Sequence, residues 1–155
     1  MSFTAADVKT LREMTSVGMM DCKKALTASD GDMDKAVEFL REKGLAASAK
    51  KAGRVAAEGM AYAAVIDGVG VVVEVNAETD FVAKNDKFVD FTKSLAKVVA
   101  DENPADVEAL MACKMGDGTV DDALKALILV IKENIKVRRF ARYEGHCAAY
   151  VLSLI

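Results

Sequence analysis

The first part of the chain carries apolar residues at the spacing of short helices. Thr4 can cap a first helix, and Val8 and Leu11 share one face of that helix. A second helix is predicted to begin near Gly18 and to bury part of its apolar set. This set consists of Met19, Met20, Cys22, Ala25 and Leu26.

A third helix is predicted after Asp32, because apolar residues recur there every three or four positions. The recurring residues are Met33, Ala36, Val37 and Leu40. Gly44 follows at a position where helices commonly stop, since glycine readily adopts the left-handed conformation of a C-terminal cap. We therefore expect residues 1–45 to form a three-helix domain. The basic, Ala-rich stretch 46–58 is predicted to be a linker or a connecting helix.

The pattern then changes to one typical of strands. The β-prone runs Met60–Ile66 and Val71–Val75 flank the turn-forming stretch 67–70, which is the best hairpin signal in the sequence. After the polar stretch 76–80, a helix is predicted to begin at Asn85 or Asp86. Its apolar stripe consists of Phe88, Phe91, Leu95, Val98 and Val99.

Two shorter helices and a strand are predicted next. Asn103 precedes the single proline, Pro104, and this pair is typical of a helix start, so we expect a short helix that ends near Cys113. Thr119 begins a capping-box pattern for another helix. A strand is predicted over residues 135–143. Its alternation slips between Val137 and Phe140, which indicates a β-bulge.

These elements predict an α+β fold, with a core over residues 59–155 that packs helices on an antiparallel sheet. The chain ends in an apolar run, Ala148–Ile155, without a polar cap. We expect the chain to be a fragment whose next element is missing. If the apolar run is a strand, it lies at a sheet edge that the missing part of a longer protein would cover. An uncovered strand edge and exposed apolar side chains would then favour self-association.

Composition narrows the class of protein. A chain of 155 residues that is 52% hydrophobic is expected to fold, and three widely spaced cysteines argue against a disulfide framework. A net charge of −3 argues against general coating of nucleic acid. The longest apolar stretch, Leu124–Ile131, is too short to span a membrane. We expect a cytoplasmic protein without membrane contact.

No motif for catalysis is found in the sequence. The glycine-rich phosphate-binding loops and the nucleophile elbow are absent. Asp30, Asp32 and Asp34 have the opening spacing of a calcium loop, but Lys35 stands where glycine is needed and Arg41 where glutamate is needed. We interpret these acids as helix N-terminal residues. No enzyme activity, metal site or cofactor is predicted.

Two charge patterns leave alternatives. The alternating residues Glu74, Asn76, Glu78 and Asp80 could converge on a metal, but a solvated strand end is the favoured interpretation. Basic residues form two clusters, which could contact RNA phosphates. The clusters are Lys50, Lys51 and Arg54, and Arg138, Arg139 and Arg142. We favour pairing with acids of the same chain, for which the acidic stretch 101–122 offers partners.

Three apolar residues are candidates for a contact surface. From the pattern alone, Phe81 is best explained as a core residue beneath a loop, and less well as an interface anchor. Met19 and Met20 lie about 100° apart on a helix, so both cannot point inward equally. We expect one of them to be exposed, where methionine forms an adaptable contact surface.

Three segments together resemble the signatures of bacterial elongation factor Ts. They read GMMDCKKAL at 18–26, EVNAETDFVAK at 74–84, and ENI at 133–135 followed by RR at 138–139. The resemblance extends from Thr4 to Gly145. It implies a UBA-like three-helix domain, a linker and an α+β core, followed in full-length members by a second core half.

The resemblance also implies a function. Members of this family release GDP from elongation factor Tu, and they bind it both with GDP and without nucleotide. They act by binding and do not catalyse bond formation. Residues expected to disturb the partner's Mg²⁺ and phosphate site are Thr79, Asp80, Phe81 and Val82. Residues expected to dock the N-terminal module are Leu11, Met19 and Met20. A further contact is expected at Ile131 and Lys132.

The sequence departs from the family pattern in three places. Ser16 and Val17 stand where the family has Gly-Ala, and Lys132 stands where it has glycine. After Gly145 the match degrades.

Two other functions fit the residues: a UBA-like adaptor that binds a protein tail at the turn 17–19, and an RNA-binding translation accessory that uses the basic clusters. GDP-exchange and salt-dependent RNA-binding assays distinguish these alternatives.

Overall fold

The computed structural model describes residues 3–151. It divides into two compact units, Met1–Gly53 with Lys125–Glu133, and Arg54–Leu124 with Asn134–Ile155. The helices of the first stretch are α1 (Ala5–Thr15), α2 (Met19–Ala28) and α3 (Met33–Lys51). The predicted α+β class and the three N-terminal helices are confirmed.

The first unit is held together by one apolar core. Its buried residues are Val8, Leu11, Val17, Cys22, Ala25, Leu26, Ala36, Leu40 and Leu129. The predicted cap of α1 is present: the Thr4 backbone N–H donates to the Asp7 carboxylate at 2.7 Å, and the Asp7 backbone N–H donates to the Thr4 hydroxyl at 3.3 Å. The local sequence therefore fixes where α1 begins, and its apolar face fixes the packing.

The predicted end of α3 at Gly44 is wrong. Helix α3 continues through Gly44 to Lys51. Gly44 is buried, and a Cβ atom there would lie 3.3 Å from the Lys125 carbonyl oxygen. Glycine is therefore used at this position for close approach of backbone and not as a C-terminal cap. The stretch 46–51, predicted to be a linker or a connecting helix, is the last part of α3.

The second unit contains a three-stranded antiparallel sheet. Its strands are β1 (Glu58–Ile66), β2 (Val69–Ala77) and β5 (Lys136–Tyr143), in the order β1-β2-β5. The predicted hairpin is confirmed, with Asp67 and Gly68 both at positive φ as a two-residue turn requires. The predicted bulge is also confirmed, since Glu74 pairs with Arg139 and Val75 with Val137, which leaves Arg138 without an opposite residue.

Helices cover one face of this sheet. The short helix α4 (Asp80–Ala83) follows β2 directly, and α5 (Asp86–Glu102) begins after the N-cap Asn85, whose side chain accepts from the Lys87 backbone N–H at 3.0 Å. Helix α5 packs on β1 and β2. Its buried side chains include Phe88, Phe91, Leu95 and Val99. They face Val71, Val73, Val75 and Ala77, which alternate along β2 and are buried.

The remaining elements are α6 (Val107–Ala112), a two-residue hairpin of β3 (Lys114–Met115) and β4 (Gly118–Thr119), and α7 (Val120–Ile131). The predicted helix start at Asn103 is wrong: Asn103 ends α5 in the left-handed conformation, and Asp106 caps α6. The capping pattern at Thr119 is confirmed by the Asp122 backbone N–H, which donates to the Thr119 hydroxyl at 3.1 Å.

The chain after β5 has no regular secondary structure up to Val151. The strand considered for Ala148–Ile155 is therefore not formed in its described part, and positions 152–155 lie outside the described residues. Within residues 3–151, no helix has the length and apolar character that crossing a membrane requires.

Candidate functional site

The start of α2 presents two methionines to solvent. Met19 is 50% exposed and Met20 is 66% exposed. The buried face of α2 is formed instead by Cys22, Ala25 and Leu26. Exposure of one methionine was predicted, and the structure extends this to both. The side chains of Met19 and Met20 are therefore available for an apolar contact.

Leu11 does not lie on this surface. It is fully buried in the core of the first unit, on the inner face of α1 with Val8. The expectation that Leu11 contacts a partner is therefore contradicted, because a side chain without solvent exposure cannot reach a partner while the module is folded. Leu11 packs in the core and holds α1, the helix that leads into the turn before Met19.

The turn between α1 and α2 tolerates the departures from the family pattern. Ser16 adopts φ 56°, and its backbone N–H donates to the Arg12 carbonyl at 2.8 Å as the C-cap of α1. Val17 is buried, and its carbonyl accepts from the Cys22 thiol at 3.6 Å. A side chain at position 17 thus adds to the core, while position 16 adopts a conformation that glycine would enter more easily.

Asp21 ties α2 to α3 through an ion pair with Lys43. The Lys43 ammonium, which donates a hydrogen bond to this carboxylate, lowers the pKa of Asp21. Because the pKa is lower in the folded chain, the stabilisation is present above the ordinary Asp value of about 4 and is lost as the pH falls through the folded pKa. Asp21 belongs to the first signature, and its role in the structure is to orient the helix that carries the methionines.

We expect Asp21→Asn to lower the free energy of unfolding by about 1 kcal/mol at pH 7, because a partly buried ion pair is lost. Lys43→Met should cost a similar amount, and the double variant should cost little more than either single change. Urea unfolding at pH 7 and pH 3 measures both effects. Between pH 7 and pH 3, the free energy of unfolding should fall less in Asp21→Asn than in the parent chain. An equal fall in the two chains would show that the ion pair between Asp21 and Lys43 does not contribute to this pH dependence.

The second candidate surface is the short helix α4. Phe81 is 82% exposed there, so the interpretation of Phe81 as a core residue is wrong. Asp80 is exposed and lies 3.9 Å from the Lys84 ammonium, a weak ion pair at a solvated position. Thr79 and Val82 are half-buried beside them. An aromatic side chain on a solvated helix turn is a feature that folding alone does not require.

Backbone hydrogen bonds fix α4 on its C-terminal side. The Lys84 backbone N–H donates to the Phe81 carbonyl at 3.2 Å, and the Asn85 backbone N–H donates to the Val82 carbonyl at 2.9 Å. Asn85 then caps α5. Helix α4 also contacts β1, β2 and α5. Phe81 is thus presented by a turn whose backbone is fixed on its C-terminal side, which reduces the entropy lost on binding.

A partly buried polar network lies on the other side of α4. The Asn134 backbone N–H donates to the Glu78 carboxylate at 2.6 Å, and the Asn134 side-chain amide donates to the Arg54 carbonyl at 2.6 Å. Arg54 also lies 3.5 Å from the same Glu78 carboxylate. Asn134 is almost completely buried. Since a buried polar group is costly without its partners, this network holds the end of β2, two residues before Asp80.

The contact between Arg54, Glu78 and Asn134 is not predicted by the sequence, which placed Glu78 at a solvated strand end and Arg54 in a basic cluster. Glu78 and Asn134 lie inside the second and third signatures, so the resemblance contained a signal. It could not be interpreted from spacing, because Glu78 and Asn134 are 56 positions apart in the chain. The three residues position the α4 surface and do not form part of its exposed area.

Ile131 and Lys132 lie at the end of α7. Ile131 is half-buried and Lys132 is exposed. Lys132 adopts φ 67°, and its backbone N–H donates to the Ile128 carbonyl at 2.8 Å, as in a helix C-cap. The glycine expected from the family pattern therefore has a local structural reason, since this conformation is strained for lysine and not for glycine.

We expect Lys132→Gly to raise the free energy of unfolding by about 0.5–1 kcal/mol, because it relieves left-handed strain at the end of α7. Thermal and urea unfolding of the two chains measure the gain. Lys132→Ala is the matched control: it removes the charge but keeps the Cβ atom, so no gain is expected. An equal gain in both variants would point to the charge and not to the backbone.

The basic strand cluster is paired within its own unit. The Arg139 guanidinium donates to the Glu74 carboxylate at 2.6 Å, and the Arg138 guanidinium donates at 3.2 Å. Arg139, with smaller contributions from other groups including Arg138, lowers the pKa of Glu74. Arg142 donates to Glu144 at 2.6 Å. Pairing was predicted correctly, but the acids are Glu74 and Glu144 instead of those in the stretch 101–122.

Other chemistry is limited in the described residues. Among residues 3–151, no group of three or more His, Cys, Asp and Glu side chains is placed to hold a metal ion. Cys22, Cys113 and Cys147 are free thiols. The start of α2 therefore offers apolar contact through Met19 and Met20. Helix α4 offers the aromatic side chain of Phe81 and the carboxylate of Asp80.

The chain that carries these surfaces is similar to known proteins of one family. The family described as Elongation factor TS matches residues 78–153, which include α4 and β5. Elongation factor Ts of Lacticaseibacillus casei is 58% identical over 142 residues, which cover 91% of this chain and 48% of that protein. Elongation factor Ts of Trichlorobacter lovleyi is 55% identical over 150 residues, or 94% and 48% of the two chains. The chain spans about half the length of the curated relatives it matches.

Proposed function

Because this chain belongs to the elongation factor Ts family, we propose that it is a guanine-nucleotide exchange factor that promotes GDP release from elongation factor Tu. It acts by protein binding in the cytoplasm and forms or breaks no covalent bond itself. It binds the partner in its GDP-bound and nucleotide-free states. The observation that carries the proposal is the exposed Phe81 on α4, a turn fixed by backbone hydrogen bonds after it and preceded by the hydrogen bond between Asn134 and the Glu78 carboxylate.

The α4 surface is the element that acts on the nucleotide site. GTPases of this class hold GDP through a phosphate loop and a Mg²⁺ ion that bridges phosphate oxygens. Phe81 enters an apolar gap between helices of the partner, and Asp80 shifts groups near the ion. Thr79 and Val82 complete the contact beside them. Once the Mg²⁺ coordination is disturbed, phosphate charge is less well neutralised and GDP is bound less tightly.

The α2 surface supplies binding energy at a different patch of the same partner. Met19 and Met20 provide the apolar contact, and methionine suits it because its flexible thioether adapts to the opposing surface. Leu11 has no place in this contact and acts by holding α1 in the core. Ile131 and Lys132 are proposed as a further, smaller contact.

The coupling between the factor and GDP is reciprocal. If binding of this chain weakens GDP binding by a given factor, GDP weakens binding of this chain by the same factor. The test is release of fluorescently labelled GDP from elongation factor Tu, measured with and without the chain. Faster release, together with tighter binding to nucleotide-free elongation factor Tu than to the GDP form, supports the proposal. Unchanged release at saturating chain concentration would refute it.

We expect the double change Met19→Ala, Met20→Ala to weaken binding to elongation factor Tu at least about tenfold, because it removes exposed apolar contacts near the centre of the proposed α2 interface. Stability should change by less than about 0.5 kcal/mol, since both side chains are exposed. Calorimetric titration and urea unfolding measure the two quantities.

The matched control for the methionines is Leu45→Ala, which removes an exposed apolar side chain of α3 outside the proposed contacts. Its binding should remain within about twofold of the parent chain. Equal loss of binding in the control and in the double variant would mean that exposed apolar area in general promotes association. The α2 surface would then lose its specific role.

A further inference from the structure

The exposed methionines are concentrated in one short segment. Seven methionines lie in the described part of the chain, and those at positions 33, 60, 111 and 115 are half-buried. The three exposed ones are Met14 (61%), Met19 (50%) and Met20 (66%). Met14 is next to last in α1, and Met19 and Met20 begin α2. We refer to residues 14–20 as the methionine turn.

Buried side chains and two hydrogen bonds hold the methionine turn in place. Oxidation of its exposed methionines does not alter these contacts. The Thr15 hydroxyl donates to the Leu11 carbonyl at 2.7 Å, and the Cys22 thiol donates to the Val17 carbonyl at 3.6 Å. Leu11, Val17 and Cys22 are buried in the core. A polar atom added to an exposed thioether therefore leaves the packing of this unit intact, and its effect falls on the surface of the turn.

We infer that the methionine turn is a reversible oxidation site that controls association with the partner; the control of association, but not the site, rests on the proposed function. The oxidant class is a hydroperoxide. The thioether sulfur attacks one peroxide oxygen, the O–O bond breaks and an S–O bond forms. The proton on the transferred oxygen passes to the displaced oxygen, which leaves as water from hydrogen peroxide or as an alcohol from an organic hydroperoxide. Sulfur is oxidised by two electrons and the peroxide is reduced by two.

The reverse step uses a dithiol as reductant. Two electrons and two protons from the dithiol convert the sulfoxide back to the thioether and water, and the dithiol becomes a disulfide, as in methionine sulfoxide reductases. Unlike sulfonic acid at cysteine, this product is recoverable. The modification can therefore act as a switch and not only as damage.

Two of the cysteines compete poorly for the oxidant. The thiolate is the reactive form of cysteine, and burial raises the pKa of both Cys22 and Cys113. Cys22 is also covered by the core. A thioether needs no deprotonation, so Met14, Met19 and Met20 react according to their exposure.

Oxidation of the methionine turn weakens the apolar contact that its thioethers are suited to make. A sulfoxide is a polar group with a strong acceptor oxygen, and an apolar interface that buries it without a donor loses affinity. Met14 is exposed near the end of α1, five positions before Met19, and we include it in the proposed contact, so three thioethers and not two would be affected. Partner binding should in turn protect these three residues from the oxidant.

The test is a hydrogen peroxide titration of the full chain, with each methionine followed by peptide mass. Met14, Met19 and Met20 should gain 16 Da, the mass of one oxygen atom, before the half-buried methionines. After treatment with dithiothreitol to reverse sulfenic acids and disulfides, binding to elongation factor Tu should be at least about tenfold weaker than before peroxide. Methionine sulfoxide reductase should restore it, and circular dichroism should remain unchanged.

The control chain carries Met14→Leu, Met19→Leu and Met20→Leu, and each chain is compared with its own untreated sample. The control retains all three cysteines, so its treated-to-untreated binding ratio should stay within about twofold. Oxidation that begins at the half-buried methionines overturns the site. Normal oxidation with unchanged binding, or equal loss in the control, overturns the regulation. Absence of exchange in the untreated chain refutes the proposed function, while the peptide masses still decide the oxidation site.

Discussion

Phe81→Ala is expected to lower the efficiency of GDP release by about 30-fold or more while leaving the chain as stable as before. The loss follows from removing a central aromatic anchor, for which about 2 kcal/mol or more is typical. The stability should change by less than about 0.5 kcal/mol, because an 82% exposed side chain contributes little to folding. GDP-release kinetics and urea unfolding measure the two effects on the same sample.

Two control variants distinguish an interface anchor from a core residue and from an exposed aromatic residue in general. Phe88→Ala removes a fully buried phenylalanine from α5 and should cost about 3–5 kcal/mol of stability. Tyr150→Ala removes an equally exposed aromatic side chain outside α4 and should change neither quantity. A Phe81→Ala chain that unfolds like Phe88→Ala would reinstate the core interpretation. A stable Phe81→Ala chain with full exchange would remove Phe81 from the mechanism.

Gly59→Ala is expected to destabilise the sheet by several kcal/mol or to prevent its formation. Gly59 lies in β1 opposite Asn76 and has φ 140°. A Cβ atom there would lie 2.1 Å from the Val75 carbonyl oxygen of the neighbouring strand. This contact is with backbone, so a side-chain rotation cannot relieve it, and the two strands would have to separate or change register.

Two glycines provide a graded series for this prediction. Gly68 in the hairpin turn has φ 83° and open space around it, so Gly68→Ala should cost only backbone strain, about 1–2 kcal/mol. Gly53 has neither a neighbour within reach nor positive φ, so Gly53→Ala should be neutral or slightly stabilising. Thermal unfolding should rank the three in the order 59, 68, 53. Equal costs at 59 and 68 would show that the clash is relieved.

Local sequence patterns were sufficient to predict several parts of the fold. The hairpin around Asp67 and Gly68, the bulge before Arg139 and the cap of α1 at Thr4 were each predicted, and each is present. These features depend on residues that are close in the sequence, such as turn residues with positive φ or an acid three positions after a threonine. The alternation along a strand likewise reports a bulge without knowledge of the strand opposite.

Other local patterns gave the wrong element boundary because two interpretations share the same residues. Gly44 can end a helix or permit close packing inside one, and the carbonyl of Lys125, 81 positions away, decides for the second. Asn103 can begin a helix or end the preceding one. Because α5 continues to Glu102, Asn103 ends that helix and does not begin the next one. In both cases the deciding contact or element is outside the window of the pattern.

The sequence alone determined the α+β class, most helices and strands, and the three signatures that identify the family. Which apolar side chains are exposed was decided only by the tertiary structure. Leu11 is buried while Met19, Met20 and Phe81 are not, although all four fit an apolar pattern. Likewise, Glu78 and Asn134 come together only when the end of β2 and the segment before β5 are placed. Periodicity reports the conformation of the backbone, whereas burial depends on which distant segment covers each face.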